Sequence, residues 1–126
     1  MPPDDLRLRT KTFATDIVQF CRRLPTSAEA MLVRRQLLRA ATGVAANYRA
    51  ACRPRSDADF VAKLGMAIEE CDEAALWLEV ARDVQRVTDG QRRQLRLEAD
   101  ELTRILAASR ETVRRRVLGN EERPAP

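Results

Sequence analysis

No histidine occurs among the 126 residues of this chain. That absence removes the commonest general base, the commonest transition-metal ligand and any Ser-His or Cys-His pair. Cysteine is scarce and odd in number. Cys21, Cys52 and Cys71 fall at apolar-periodic positions without the CxxC or Cys/His spacing of a metal site, which points to buried free thiols. There are only four glycines, and of six prolines only Pro25 and Pro54 lie away from the ends. So few breakers suit long helices rather than many short strands and turns. No apolar run nears the roughly 20 residues that span a bilayer, and MPPDDLRLRT lacks the apolar core of an export signal, so a cytoplasmic location without membrane contact is expected.

What is present is 44% hydrophobic and 33% charged residues, a composition and length that fit one helical domain with its own core. The net charge of +4 is unevenly spread. Residues 1–55 hold eleven basic and four acidic side chains, a net +7, and residues 56–126 hold twelve and fifteen, a net −3. Arginine supplies 21 of the 23 basic residues. Its planar fork suits phosphate or carboxylate, although codon bias would produce the same preference.

Four segments repeat apolar residues at helical spacing. Leu6, Phe13, Ile17, Phe20 and Leu24 mark the first, which Pro25 closes. Thr26 and Glu29 read as a capping box opening a second helix with Val33, Leu37, Ala41, Val44, Tyr48 and Ala51 on one face. Its small-residue centre, AATGVAA, implies a close helix crossing at Gly43. Arg53, Pro54 and Arg55 break it, and Ser56 with Asp59 resembles a second capping box. The third helix then buries Phe60, Leu64, Ala67, Ile68, Cys71, Ala75 and Leu78, and TDG at 88–90 turns the chain. The fourth carries Leu95, Ala99, Leu102, Leu106, Val113 and Val117 and is expected to end at a Gly119-Asn120 cap. The reading is an all-α, up-down-up-down antiparallel four-helix bundle over residues 1–126, with helices at about 5–24, 27–52, 57–87 and 90–118 and a disordered tail at 119–126.

Two kinds of charged cluster invite a chemical role. The third helix holds Glu69, Glu70, Asp72, Glu73 and Glu79 with no basic residue between 69 and 79. Glu69, Glu70 and Glu73 fit the E-E-x-x-E spacing of all-α nucleotide pyrophosphatases, and Glu98 with Glu101 could supply a second pair for Mg²⁺, with glutamate where aspartate is expected. Helical geometry opposes this. At 100° per residue Glu73 points away from the core stripe and Glu70 lies about 100° off it, so a polar face paired with arginines is the alternative. The same wheel places Met66, Trp77 and Val80 outside, as a second apolar stripe suited to contact between subunits.

Arginines cluster as Arg34, Arg35 and Arg39, as Arg92, Arg93 and Arg96, and as Arg114, Arg115 and Arg116. A nucleic-acid backbone needs such groups, and so does an ordinary solvated helix face. No aromatic interleaving or base-reading motif accompanies them, so binding without sequence readout is the expectation.

One stretch is more specific. LLRAATGVAANYRAACRPRSDADFVAKLGMAIEECDEAALWLE, residues 37–79, resembles the four-helix-bundle family that includes proteins encoded in intervening sequences of bacterial 23S ribosomal RNA genes. It is closest to a branch with ANYRAACRxRS, F-x-x-K-L-G, E-E-x-D-E and W-L-E. The more widespread branch reads N-I-A-E-G-x-G-R where this chain has Asn47-Tyr48-Arg49-Ala50-Ala51-Cys52-Arg53-Pro54. The resemblance implies an antiparallel bundle assembled as a homopentamer. It also implies kinship in fold to accessory variability proteins of diversity-generating retroelements, which bind nucleic acid and reverse transcriptase through a basic surface.

The function expected is therefore a non-catalytic, self-associating binding or scaffold protein for RNA, DNA or a nucleoprotein, without cofactor, metal or small-molecule substrate. A pure protein-protein adaptor and a carboxylate-metal nucleotide pyrophosphohydrolase are the alternatives. At the corner, Arg49, Arg53 or Arg55 is expected to pair with the acidic face of Glu69, Glu70, Asp72 and Glu73, with Asn47, Tyr48 and Ser56 completing the motif.

Overall fold

The backbone breaks where the sequence supplies breakers. A computed structural model describes residues 3–85 and 90–122. It contains α1 (Pro3–Arg22), α2 (Ala28–Ala51), α3 (Asp57–Gln85) and α4 (Gly90–Glu122), with no strand among the described residues. At the end of α1 the Arg23 and Leu24 amides donate back to Phe20 and Cys21, tightening the last turn before Pro25. The cap of α2 is Ser27 rather than Thr26, its extended backbone letting Oγ accept from the Ala30 amide at 3.2 Å. The third position of that helix is then alanine, which cannot complete a capping box. Before α3 a variant of the box is present, its return bond made to the amide one residue before the cap. Ser56 Oγ accepts from the Asp59 amide at 3.0 Å while Asp59 Oδ2 accepts from the Arg55 amide at 3.1 Å. That backbone hydrogen bond is the first cause of an Asp59 carboxyl held below its ordinary value.

The four helices form a bundle in which α2 packs on α1 and α3, α3 on α2 and α4, and α1 more lightly on α4. Phe13, Ile17 and Phe20 of α1, Val33, Leu37 and Val44 of α2, Leu64 and Leu78 of α3, and Leu102 and Leu106 of α4 are all excluded from water. The thiols of Cys21 and Cys71 lie in the same core, where burial pushes them up to about 11 and about 12 respectively. Cys52 is only half-buried, so the expectation of three buried thiols holds for two.

Three further differences have physical causes. The close approach at Gly43 involves a side chain, because a Cβ there would fall on the Glu70 carboxylate. Helix α4 does not stop at Gly119. That glycine keeps a right-handed backbone with open space around it, so the helix continues to Glu122. Val113 and Val117, expected in the core, are only half-covered. The expected turn at 88–90 falls, apart from Gly90, outside the described residues, and so does the tail at 123–126.

The lighter α1–α4 seam is tied by one charged fork. Arg9 donates through Nε and Nη2 to the two oxygens of Glu98 at 2.8 and 2.7 Å, and Nη2 lies 3.1 Å from Glu101. The Glu98 hydrogen bond is the main reason the guanidinium is held above its already high ordinary value. Because the pair is only partly shielded, a double-mutant cycle of Arg9→Ala and Glu98→Ala is expected to give a coupling of about 1 kcal/mol. Denaturant melts of the four proteins measure it, and strict additivity would show that the fork does not hold the seam.

Candidate functional site

Leading into the corner, the seam between α2 and α3 is held by Asn47 and Glu70 rather than by Arg49 or Arg53. Asn47 Nδ2 donates to Glu70 Oε1 at 3.0 Å, and the Glu70 side chain lies across α2 in the space left by Gly43. One turn away Arg39 pairs with Glu73 and also donates to Gln36 Oε1. Of the arginines expected here, Arg55 pairs with Asp59 in the cap at 3.6 Å, and Arg49 and Arg53 are exposed without an ion pair among the described residues. Arg49 is turned instead toward α1, where it shares a cavity with Arg7 and Lys11. Glu69 and Asp72 are exposed, and Tyr48 is buried.

The basic clusters divide sharply by what already occupies them. Arg34 is structural: Nε donates to the Cys21 carbonyl at 3.2 Å, and Nη2 to those of Leu24 and Pro25 at 2.8 and 3.2 Å. It thereby satisfies the Leu24 and Pro25 carbonyls in the turn after α1 and adds a second bond to the Cys21 carbonyl, which already accepts from the Leu24 amide. Arg35 is exposed. On α4, Arg92 is buried, Arg93 exposed, and Arg96 binds Glu79 at 2.6 Å and also pairs with Asp100. Together with Arg82 they line a groove of about 410 Å³ between α3 and α4. Arg114 and Arg115 lie 3.9 and 3.3 Å from Glu111, and Arg116 lies 3.2 Å from Asp57. Most of these cations already have a carboxylate.

A different set does not. Arg7 and Lys11, one turn apart on α1, and Arg49 of α2 line a cavity of about 330 Å³ floored by Ala45 and Ala46. No acidic side chain lines it, and none of the three cations is ion-paired among the described residues. Sequence reasoning missed this group because its members are dispersed across 43 positions and form no run. The available signal was the +7 charge of residues 1–55 and the i, i+4 spacing of Arg7 and Lys11.

The acidic residues are not gathered into one centre. Glu70 and Glu73 face α2, whereas Glu98 and Glu101 are engaged by Arg9 of α1. The two carboxylate pairs that a nucleotide hydrolase would need opposite each other thus occupy different clefts. No group of three or more possible metal ligands occurs among the described residues. The outer stripe also differs from expectation. Trp77 does not project fully into water: its ring packs on the core, and Nε1 is buried with no hydrogen-bond partner among the described residues. Val80 packs likewise, while Met66 remains 47% exposed.

The family model described as the 23S rRNA-intervening sequence protein matches residues 6–108. Among solved structures, the chain is similar to a Bacteroides thetaiotaomicron protein described as of unknown function and from the S23 ribosomal protein family. The TM-score is 0.80 at 27% identity, over 88% of this chain and 99% of that one. No curated protein matches.

Burial raises the Glu70 carboxyl above the ordinary value of 4.5, outweighing the lowering by Arg39 and by the Asn47 hydrogen bond, and Glu73 adds to the rise. The folded state therefore holds this proton more tightly than the unfolded chain does, and ionisation costs stability as pH rises from 4.5 through the raised value. Glu70→Gln keeps an acceptor for Asn47 and removes the charge. Its Tm is expected to exceed that of the wild type at neutral pH, with the gap closing as pH falls below 4.5. Thermal melts across that range check the sign, and a variant less stable at neutral pH contradicts it.

Proposed function

The chain belongs to the 23S rRNA-intervening sequence protein family, and from that premise we propose that it is a non-catalytic, self-associating protein that binds nucleic acid through backbone phosphates. The observation that carries this reading is the groove of Arg7, Lys11 and Arg49, three cations that converge with no acidic side chain lining the groove among the described residues. Phosphate contacts of this kind supply affinity and salt dependence but no sequence readout. Alanine on the groove floor lets a backbone approach and offers no side-chain hydrogen bond to a base. Arg35 and Arg93 are exposed additional contacts, whereas the paired Arg39, Arg96 and Arg114 to Arg116 are secondary. No described helix is long and apolar enough to cross a membrane, which fits a cytoplasmic location. The separation of the carboxylate pairs disfavours the hydrolase.

Within this proposal the helices run up-down-up-down, neighbours antiparallel. Pairings at successive levels support it: Arg39 with Glu73 and Asn47 with Glu70 between α2 and α3, and Asp57 with Arg116 and Glu79 with Arg96 between α3 and α4. Self-association is supported by apolar groups left in water. Leu76 and Val84 of α3 are 50% and 53% exposed, with Val80 between them at steps of four, and Leu97 of α4 is 61% exposed. A heterologous contact using this strip closes into a ring, with five copies as the family resemblance implies.

Two measurements test the proposal. Retention of unrelated RNA and DNA should be similar and should fall steeply with salt, and the triple variant Arg7→Ala, Lys11→Ala, Arg49→Ala should flatten the log-log slope by about 0.7 per lost single-strand contact. Absence of binding at low salt leaves the adaptor reading instead. Light scattering should show an oligomer that Leu76→Glu with Val84→Glu dissociates without unfolding the helices, as followed by circular dichroism. A monomeric wild type rejects the self-association.

A further inference from the structure

Beside the cationic groove lies a cavity of opposite character. Leu6, Tyr48, Cys52, Pro54, Phe60 and Ser109 line about 340 Å³ at the end of the bundle where the α2–α3 corner meets α1 and the later part of α4. That volume falls in the range of small-ligand sites, about 300–1,000 Å³. Its lining is mainly apolar, with two of the five aromatic side chains of the protein and the Ser109 hydroxyl.

The two cavities are adjacent through consecutive residues. Leu6 lines the apolar one and Arg7 the cationic one, while on α2 Tyr48 lines the first and Arg49 the second. Successive helical residues project about 100° apart with a rise of 1.5 Å, so on both helices the apolar slot and the cations lie at one level around one corner. An apolar slot with aromatic walls next to unpaired cations matches a nucleotide whose base leaves the stack while its phosphate stays outside. A base within a duplex cannot reach such a slot without first being extruded.

We infer that the end cavity receives a base of single-stranded nucleic acid whose backbone phosphate is held by Arg7, Lys11 and Arg49. This rests on the nucleic-acid reading above and names its ligand class. Phe60 and Tyr48 supply the apolar faces, and Ser109 supplies a hydrogen bond to the base edge. Identity of the base is not read, because one hydroxyl both donates and accepts.

Cys52 makes the inference directly measurable. It is the half-buried thiol, whereas Cys21 and Cys71 are buried, so alkylation by iodoacetamide at neutral pH is directed to Cys52. A uridine oligoribonucleotide and a thymidine oligodeoxyribonucleotide, at concentrations that saturate binding, should each slow Cys52 alkylation, and an RNA duplex of equal length should not. Filling the cavity with Cys52→Trp should weaken single-strand binding by about tenfold, the scale of one lost base-stacking contact, with duplex binding unchanged. Protection measured on the wild type stands even if that variant folds poorly. Binding of both single strands and duplex with Cys52 equally reactive overturns this inference and leaves the phosphate reading in place. Absence of all binding at low salt overturns both.

Discussion

Close packing between α2 and α3 sets the terms for the rest of the molecule. Both helices turn alanines inward, Ala30, Ala40, Ala41 and Ala51 on one and Ala67, Ala74, Ala75 and Ala81 on the other, all nearly or wholly excluded from water. Small side chains let helix axes approach toward the short end of the 8–10 Å range. Bulk is then displaced to the edges of the seam. Glu70 folds across Gly43, Arg39 reaches Glu73, and Trp77 leans onto the core instead of standing out in solvent. The larger apolar volume comes from α1, whose Phe13, Ile17 and Phe20 occupy the opposite side of the core. One half of the bundle is held by close backbones and the other by bulky side chains.

Charge divides the bundle differently. Where α3 and α4 meet, Arg96 is paired with Glu79 and Arg116 lies against Asp57, and residues 56–126 as a whole carry more acid than base. Where α1 and α2 meet, acids are few and Arg7, Lys11 and Arg49 have no ion pair among the described residues. A focused positive potential needs cations without counterions, not merely many cations. The three runs most conspicuous along the chain are therefore poorer candidates than three residues that form no run.

The helices and their core were legible because periodicity is a local property. Leu6, Phe13, Ile17, Phe20, Val33, Leu37, Leu64, Leu78, Leu102 and Leu106 recur at helical spacing and are buried as that spacing requires. The Ser56-Asp59 box was legible for the same reason, and the family was legible from the corner stretch. Relations between helices were harder to read. Nothing along the chain shows that Glu70 would lie over Gly43, that Asn47 would hold it, or that Arg34 would be consumed by the carbonyls of α1. Trp77 was misplaced because a wheel drawn for one helix leaves out the shape of its neighbour. Gly119 was read as a stop, yet an exposed glycine with room around it costs the helix only about 1 kcal/mol and need not end it.

The continuation of α4 beyond the bundle gives that helix two unequal parts. Its first half contributes Leu95, Ala99, Leu102 and Leu106 to the core, while from Glu111 to Gly119 no residue is fully covered and Asp57 is the cross-helix partner. An isolated segment of that length is marginal as a helix in water, so the packed portion acts as its template. Local opening free energy consequently falls along a single unbroken helix, from that of global unfolding at Leu102 toward that of terminal fraying near Leu118. Amide protons would resolve this gradient even though the backbone geometry changes little along it.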